Sequence, residues 1–426
     1  MKTKKTAILL SLVLYASISL ATETRVLSLS GAANYVWDNS NVFMFPSICP
    51  LYYRSMVAEL GDDGGNVTTN SSAYLLFANE EQSFGVMGLG VNHRSLGHYQ
   101  LTDYLTPVRN DVISIDIITR LQDRNLGQHL MEIASPQASY DLLYSRKFNK
   151  ITGGILLGRS AWSGLTGYSD EERKANSGTL EFGLGVGYEP KDNLRADAAI
   201  SFNSFSFGSS YSITGQDSAQ DFKSDGSVGL SFGGRIFYAP NEDMVIVPLL
   251  KASYVNFGYQ YDQNSDSAIA EGKSQTTEIL LGCGWNYQFR NHLKLIAGSD
   301  LGYKKTSIQD SLIVGSPGET RENITEWTFP AFHLAMEANL TNWATIRVGA
   351  TQNVLSTKRT VDYLDGTSSR TESSGQPYQL NMGLTLRTGN LNLDLLINSE
   401  MLYSGGNIAS GSKTWPANSV ALSYRF

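Results

Sequence analysis

The chain has 426 residues, with 33 Lys and Arg against 40 Asp and Glu, a formal net charge of −7 and only 17% charged residues. This mildly acidic balance argues against a nucleic-acid partner or a polybasic membrane-surface role. Two cysteines far apart, Cys49 and Cys283, exclude a disulfide scaffold and leave open only a single bridge between them.

At the start, Lys2, Lys4 and Lys5 precede an apolar run from Ala7 to Leu20, with Ser19 and Ala21 as small residues at a processing point. This predicts a cleaved secretory signal over residues 1–21. An uncleaved membrane anchor needs about 20 apolar residues, and this run is shorter and interrupted by Ser11, Ser17 and Ser19. No Cys lies at the processing point, so no lipid attachment is expected.

Residues 22–51 are rich in apolar and small side chains and fit no strand pattern. Within them stand Ser30-Gly31-Ala32-Ala33, Asp38-Asn39-Ser40 and Phe45-Pro46-Ser47. These stretches resemble the N-terminal segment of the FadL-like outer-membrane transporters of hydrophobic compounds, including the PorV-like proteins of the type IX secretion system. The departures are Phe45 where the family has Asn, Ser47 where it has Ala, and a single Gly in the first turn. The resemblance implies a hatch-like segment tucked into a barrel, with Asp38, Asn39, Phe45 and Pro46 as plug candidates. It also implies a role in moving apolar molecules or, for the PorV-like branch, in holding secreted cargo. Apart from any family, a wide barrel without a stopper would be an open aqueous hole; a periplasmic tail is the other reading of the segment.

From about residue 138 onward the chain repeats long alternating runs separated by breaks, and three runs of less perfect alternation precede them from residue 52. Abundant Gly (40), Tyr (22) and Phe (17) suit such a β-rich chain. The runs are 52–60, 71–78, 82–92, 138–148, 151–161, 178–188, 192–205, 225–238, 243–259, 275–289, 292–304, 324–338, 343–355, 377–387, 391–402 and 417–426. In residues 179–188, Leu180, Phe182, Leu184, Val186 and Tyr188 alternate with Thr179, Glu181, Gly183, Gly185 and Gly187. Runs of this length exceed ordinary globular strands and suit a tilted membrane crossing. Short turns such as 149–150, 190–193 and 290–291 alternate with long polar stretches such as 61–70, 164–177, 208–224, 262–274 and 360–376. Residues 93–137 form the largest insertion, placed outside or folded over the mouth. The fold class predicted for residues 52–426 is therefore all-β: a closed antiparallel transmembrane β-barrel of about 16 strands, with 14 as the alternative, and periplasmic turns opposite extracellular loops. Lipid forces such a sheet to close. Tyr424 and Phe426, ending the last strand, resemble the signal read by the bacterial barrel-assembly machinery.

The second face of the runs offers lumen-lining candidates of both signs: Glu181, Arg195, Asp197, Arg235, Lys251, Glu278, Lys294, Asp300, His333, Glu337, Arg347, Arg387 and Asp394. Parity across the short turns allows Glu337 to face Arg347 and Arg387 to face Asp394. Mixed signs suggest wall-bracing pairs more than an ion-selective ring. Tyr254, Tyr287, Tyr303, Tyr378, Tyr403, Tyr424, Trp285 and Trp343 suit aromatic girdles at the lipid interfaces.

Catalysis would have to draw on the five histidines, His93, His98, His129, His292 and His333. His98 with Asp103 could form a nucleophile–base pair with nearby hydroxyls, and His333 lies near Glu337, yet no spacing forces a catalytic set together. Zinc-like ligand spacing is absent, and the Gly-rich 183–187 is strand alternation rather than a phosphate loop. The sequons at Asn66, Asn70, Asn323 and Asn339 are chance matches in a bacterial host. No cofactor, metal or enzyme activity is expected. The expected partners are outer-membrane lipid, the assembly machinery, and a small apolar ligand or secreted protein. The leading function is passage of small apolar molecules across the outer membrane; a cargo-binding surface barrel is second and a barrel hydrolase third.

Overall fold

The computed structural model describes residues 22–61, 71–93, 100–101, 104–105, 133–168, 171–213, 219–263, 268–289, 292–310, 320–363, 366–397 and 417–426. Residues 1–21 and most of 93–137 lie outside this set. The described strands are β1 (Ser55–Gly61), β2 (Ser71–Phe77), β3 (Val86–Val91), β4 (Ala138–Phe148), β5 (Ile151–Tyr168), β6 (Glu171–Lys191), β7 (Leu194–Ile213), β8 (Ala219–Ser224) and β9 (Val228–Tyr238). The second half adds β10 (Met244–Gln263), β11 (Ala268–Phe289), β12 (Leu293–Asp310), β13 (Thr320–Asn339), β14 (Ala344–Asp362), β15 (Ser368–Gly375), β16 (Tyr378–Thr388), β17 (Leu391–Ile397) and β18 (Ala417–Arg425).

All 18 join one antiparallel sheet, closed where Met56 of β1 stands opposite Tyr424 of β18. β8 and β9 share one place between β7 and β10, and β15 and β16 share one place beside β14. The wall therefore has 16 strand positions, the larger of the two expected counts. Closure joins the first strand to the last, so the wall as a whole has no free edge strand of the kind that lipid would leave unpaired.

The strands run further than alternation predicted. In the stretch 164–177, expected as a loop, residues 164–168 and 171–177 are the upper arms of β5 and β6, and much of 208–224, 262–274 and 360–376 is likewise strand among the described residues. Above the apolar belt the outward residues turn polar, as at Thr277, Gln275 and Lys273, so the contrast between the two faces fades from the sequence while the backbone ladder continues. The run expected over 391–402 is described only to Ile397.

The outer face carries that belt. On β11, Ile279, Leu281, Trp285, Tyr287 and Phe289 point outward and are exposed. The outward residues above them are Thr277, Gln275 and Lys273. From 279 to 289 the strand rises about 33 Å, roughly 25 Å of height at the tilt of such barrels. Tyr254, Tyr378, Tyr424, Trp343 and Phe426 are also exposed. Tyr303 is half-buried against Trp327, their ring centroids 4.7 Å apart. Tyr403 lies outside the described residues. Cys283 faces outward on β11 and Cys49 is buried inside, so the bridge left open by the sequence does not form.

Candidate functional site

Residues 22–54 lie within the barrel, folded as short turns. Thr22 caps α1 (Glu23–Ser28), its hydroxyl accepting from the Arg25 N–H at 3.1 Å. Short 3-10 helices follow at Ser30–Tyr35, Asn39–Val42 and Pro46–Leu51. Asp38 caps the second by accepting from the Ser40 N–H at 2.9 Å, and Pro46 opens the third, where a missing N–H costs nothing. Such short elements are marginal alone. What holds them is the wall.

The wall receives them on glycines. The Tyr35 ring occupies the space that Cβ atoms on Gly284 and Gly298 would need, and Pro46 lies over Gly154 and Gly185 in the same way. The Leu29 backbone takes the place of a side chain at Gly349. The small residues of the alternating runs thus form sockets for the N-terminal segment. Around them Leu29, Ala32, Tyr35 and Val36 pack with Val247, Leu249 and Ile296, and Phe43, Phe45 and Ile48 pack with Leu76, Leu143 and Leu156.

Two charged groups flank this seat. On the β13–β17 side, the Arg25 guanidinium lies 3.2 Å from Asp38 and 2.6 Å from Glu337. Arg347 lies 3.7 Å from Glu337 and 3.3 Å from Asp394. Lys294 stands opposite Glu337 on β12. Burial works against the Arg25 charge, but Glu337 and Asp38 outweigh it and hold the guanidinium above its usual range. For Asp38 burial dominates and pushes the carboxyl up, with Arg25 and Ser40 opposing. On the β7–β10 side, Arg195 binds Asp197 at 2.8 Å and also Glu189, and Arg235 lies 3.5 Å from Asp197. The Arg235 guanidinium sits 4.4 Å from the Phe45 ring centroid and that of Arg195 5.6 Å from Trp37. Lys251 donates to the Asn34 side chain at 2.7 Å.

The remaining lumen candidates are placed as follows. Glu337 and Arg347 stand directly opposite each other. Arg387 does not stand opposite Asp394: the register sets it across from Asn392, while Asp394 meets Thr385 and is taken by Arg347. Glu181 is buried on β6, two strands from Asp141 across Gly158. Glu278 shares the inward parity of Gly282 and Gly284 and remains exposed to the lumen. Of the plug candidates, Asn39 is buried with no partner for its amide among the described residues. Phe426 donates its N–H to the Arg54 carbonyl at 3.0 Å, and its ring lies 6.5 Å from that of Tyr424.

His333 joins a string of polar groups rather than Glu337. Its Nε2 lies 2.8 Å from Asp300 Oδ2, its Nδ1 3.2 Å from Thr351 Oγ1, and the Tyr35 hydroxyl bonds the other Asp300 oxygen. A hydroxyl, an imidazole and a carboxylate in sequence have the order of a nucleophile chain. Here the Gly31 N–H donates to Thr351 Oγ1 at 3.0 Å, and Gly31 rests on the imidazole so closely that a Cβ would not fit. The seated segment thus covers both the imidazole and the Thr351 hydroxyl. His98, His129 and Asp103 lie outside the described residues, and among those described no metal-holding cluster is found.

Toward the end with the long connections, the inner wall changes character. Phe205 and Phe207 of β7, Phe222 of β8, and Val255, Phe257, Tyr259 and Tyr261 of β10 form an inward aromatic cluster, with Trp162 packed beside it. Leu101, Tyr104 and Ile133 of the 93–137 insertion close over it, Tyr104 stacked on Phe257 at 4.0 Å and 16°. Sequence reasoning missed this cluster. Its signal was present: residues 255, 257, 259 and 261 share the parity of inward Lys251, opposite to outward Tyr254.

No family model and no curated protein matches the chain. Among solved structures, it is similar to the CymD monoaromatic hydrocarbon channel at 8% identity, covering 91% of this chain and 93% of that one, with a TM-score of 0.37. The Pseudomonas putida toluene transporter TodX gives 11% identity, 93% and 94% coverage and a TM-score of 0.35. The outer-membrane protease OmpT from Escherichia coli gives 9% identity, 65% and 97% coverage and a TM-score of 0.25. Likenesses this distant carry no weight for function.

Proposed function

We propose that this barrel sits in an outer membrane and passes small apolar molecules across it through its lumen, with residues 22–54 as the plug that keeps the lumen from being an open hole. The observation carrying this reading is the pairing of two inner surfaces. An aromatic cluster lines the end with the long connections, and beyond it a stopper is seated on glycines and buried ion pairs. Small hydrated ions gain nothing from inward Phe205, Phe207 and Phe257. Apolar solutes gain roughly 25 cal/mol per Å² of surface they bury against such a lining. The outward apolar belt is the physical support for membrane residence, since a soluble barrel would expose it to water at high cost.

The test compares the full chain with a deletion of residues 24–51 in planar bilayers, alongside binding of N-phenylnaphthylamine to the purified protein in detergent. The expected result is low conductance that rises on deletion, with probe binding that depends on Phe257. A sealed lumen in both forms, no probe binding, and a co-purifying secreted protein would favour the cargo-binding reading instead.

A further inference from the structure

Glu59 of β1 is an inward carboxylate only 8% exposed. The other buried acids of this region have cations: Arg25 answers Asp38 and Glu337, and Arg347 answers Asp394. Glu59 has none. The charged groups acting on it are Glu23, Asp38 and Asp394, all acids, and no described Lys, Arg or His lies within ion-pair distance. An isolated carboxylate in such a place is costly to desolvate.

The register shows what fills the gap beside it. Glu59 stands opposite Ala421 of β18, and Ala421 opposite Asp394 of β17. The two acids are therefore about 10 Å apart on one inward row with a methyl group between them. Thr22, itself fully buried, bridges them. Its hydroxyl donates to Asp394 at 3.1 Å, and the next N–H, that of Glu23, donates to Glu59 Oε1 at 2.5 Å. Backbone geometry then holds the Thr22 nitrogen within about 6 Å of the same carboxylate.

We propose that export processing creates the missing counter-ion: the α-ammonium of Thr22 pairs with Glu59 and locks the N-terminal segment into the barrel. This rests on the reading of residues 1–21 as a cleaved signal, and not on what the lumen transports. Hydrolysis of the Ala21–Thr22 bond consumes one water, leaves the carboxylate on Ala21, and frees an amine on Thr22. That amine is protonated at neutral pH at its ordinary basicity. Before cleavage the same nitrogen is a neutral amide, so the unprocessed chain lacks the charge. Seating of the segment is thereby tied to completed export.

The experiment begins with the amino-terminal sequence of the purified barrel, which should start at Thr22; any other start overturns the proposal. Two changes are then combined: a two-residue Ala-Ser extension placed before Thr22, and Glu59→Gln. Release of the segment is read by its protease cleavage rate, with heat-modifiable gel migration confirming that each barrel is folded. Extension alone should accelerate cleavage roughly tenfold or more, Glu59→Gln alone should do the same, and the two together should add little. An extension that acts equally with and without the Glu59→Gln change, or that has no effect at all, would overturn the ion pair. An amine-specific reagent labelling folded Thr22 as fast as the denatured chain would do so as well.

Discussion

Arg25 Nη2 lies 2.6 Å from Glu337 Oε2, joining a residue near the start of the described chain to one 312 positions later in the wall. Arg25 is buried, and Glu337 also faces Arg347, so the contact is a node in a network rather than a surface pair. Removing Arg25 leaves buried Asp38 with no described cation while Glu337 keeps Arg347, and an acid stranded in this way costs on the order of 3–5 kcal/mol. Arg25→Ala should therefore release the N-terminal segment while the barrel stays closed. Bilayer conductance should rise toward that of the 24–51 deletion, while heat-modifiable gel migration stays that of the wild type. A variant with unchanged conductance would show that the network does not hold the plug.

Steric sockets offer a test that uses no charge. Gly284 and Gly298 give way to the Tyr35 ring, so Gly284→Leu should displace Tyr35 and with it the 3-10 turn at 30–35. Gly153 is the control, because a Cβ there meets nothing within 4 Å. Overpacking of this kind costs roughly 1–3 kcal/mol, so leucine at 284 should raise protease cleavage within residues 22–54 by about tenfold or more. Leucine at 153 should leave it unchanged.

These cases mark what alternation could and could not reveal. Parity told inward from outward along β6 and β11, because lipid on one side and a packed lumen on the other enforce a strict two-residue period. It also set Glu337 opposite Arg347. Parity carries no height, however, and so it put Arg387 across from Asp394 when the turn geometry offsets them by one pair of rungs. Arg25 and Glu59 escape a reading of the sequence for a different reason. Their importance comes from contacts between a turn-rich segment and distant strands, which no local period encodes. The glycines at 284 and 298 carry no local signal of their role, since what they receive is the ring of Tyr35 more than two hundred residues earlier.

The two thiols report on opposite environments. Cys283 projects outward from the apolar belt between Leu281 and Trp285, whereas Cys49 is buried in the N-terminal segment, where burial pushes its thiol up to about 12. Thiolate is the reactive form. In vesicles, Cys283 should react with a lipid-soluble maleimide and resist a charged, water-soluble one. Cys49 should resist both until the segment is released. Labelling of Cys49 in the Arg25→Ala variant but not in the parent would link the charge network to exposure of this part of the plug. Rapid labelling of Cys283 by the charged reagent would place that face in water and contradict membrane residence.

The aromatic cluster decides what the lumen accepts. Phe257 lies at its centre, 4.0 Å from the Tyr104 centroid, 4.9 Å from Phe205 and 6.2 Å from Phe207. Tyr104 belongs to the long insertion, so its ring is a cover that an apolar solute can replace with little change in buried surface. Phe257→Ala removes the face that both would share, and large-to-small changes of this kind cost about 3–5 kcal/mol where the site cannot collapse. Affinity for N-phenylnaphthylamine should fall by roughly tenfold or more, given about 1.4 kcal/mol per decade. An outward change, Phe232→Ala, should leave it within about twofold, because that ring faces the lipid belt at 41% exposure. Tyr104→Ala separates cover from site: if the ring competes with the solute, its loss should tighten binding. Weaker binding in Tyr104→Ala would instead make the insertion part of the ligand's own contact surface.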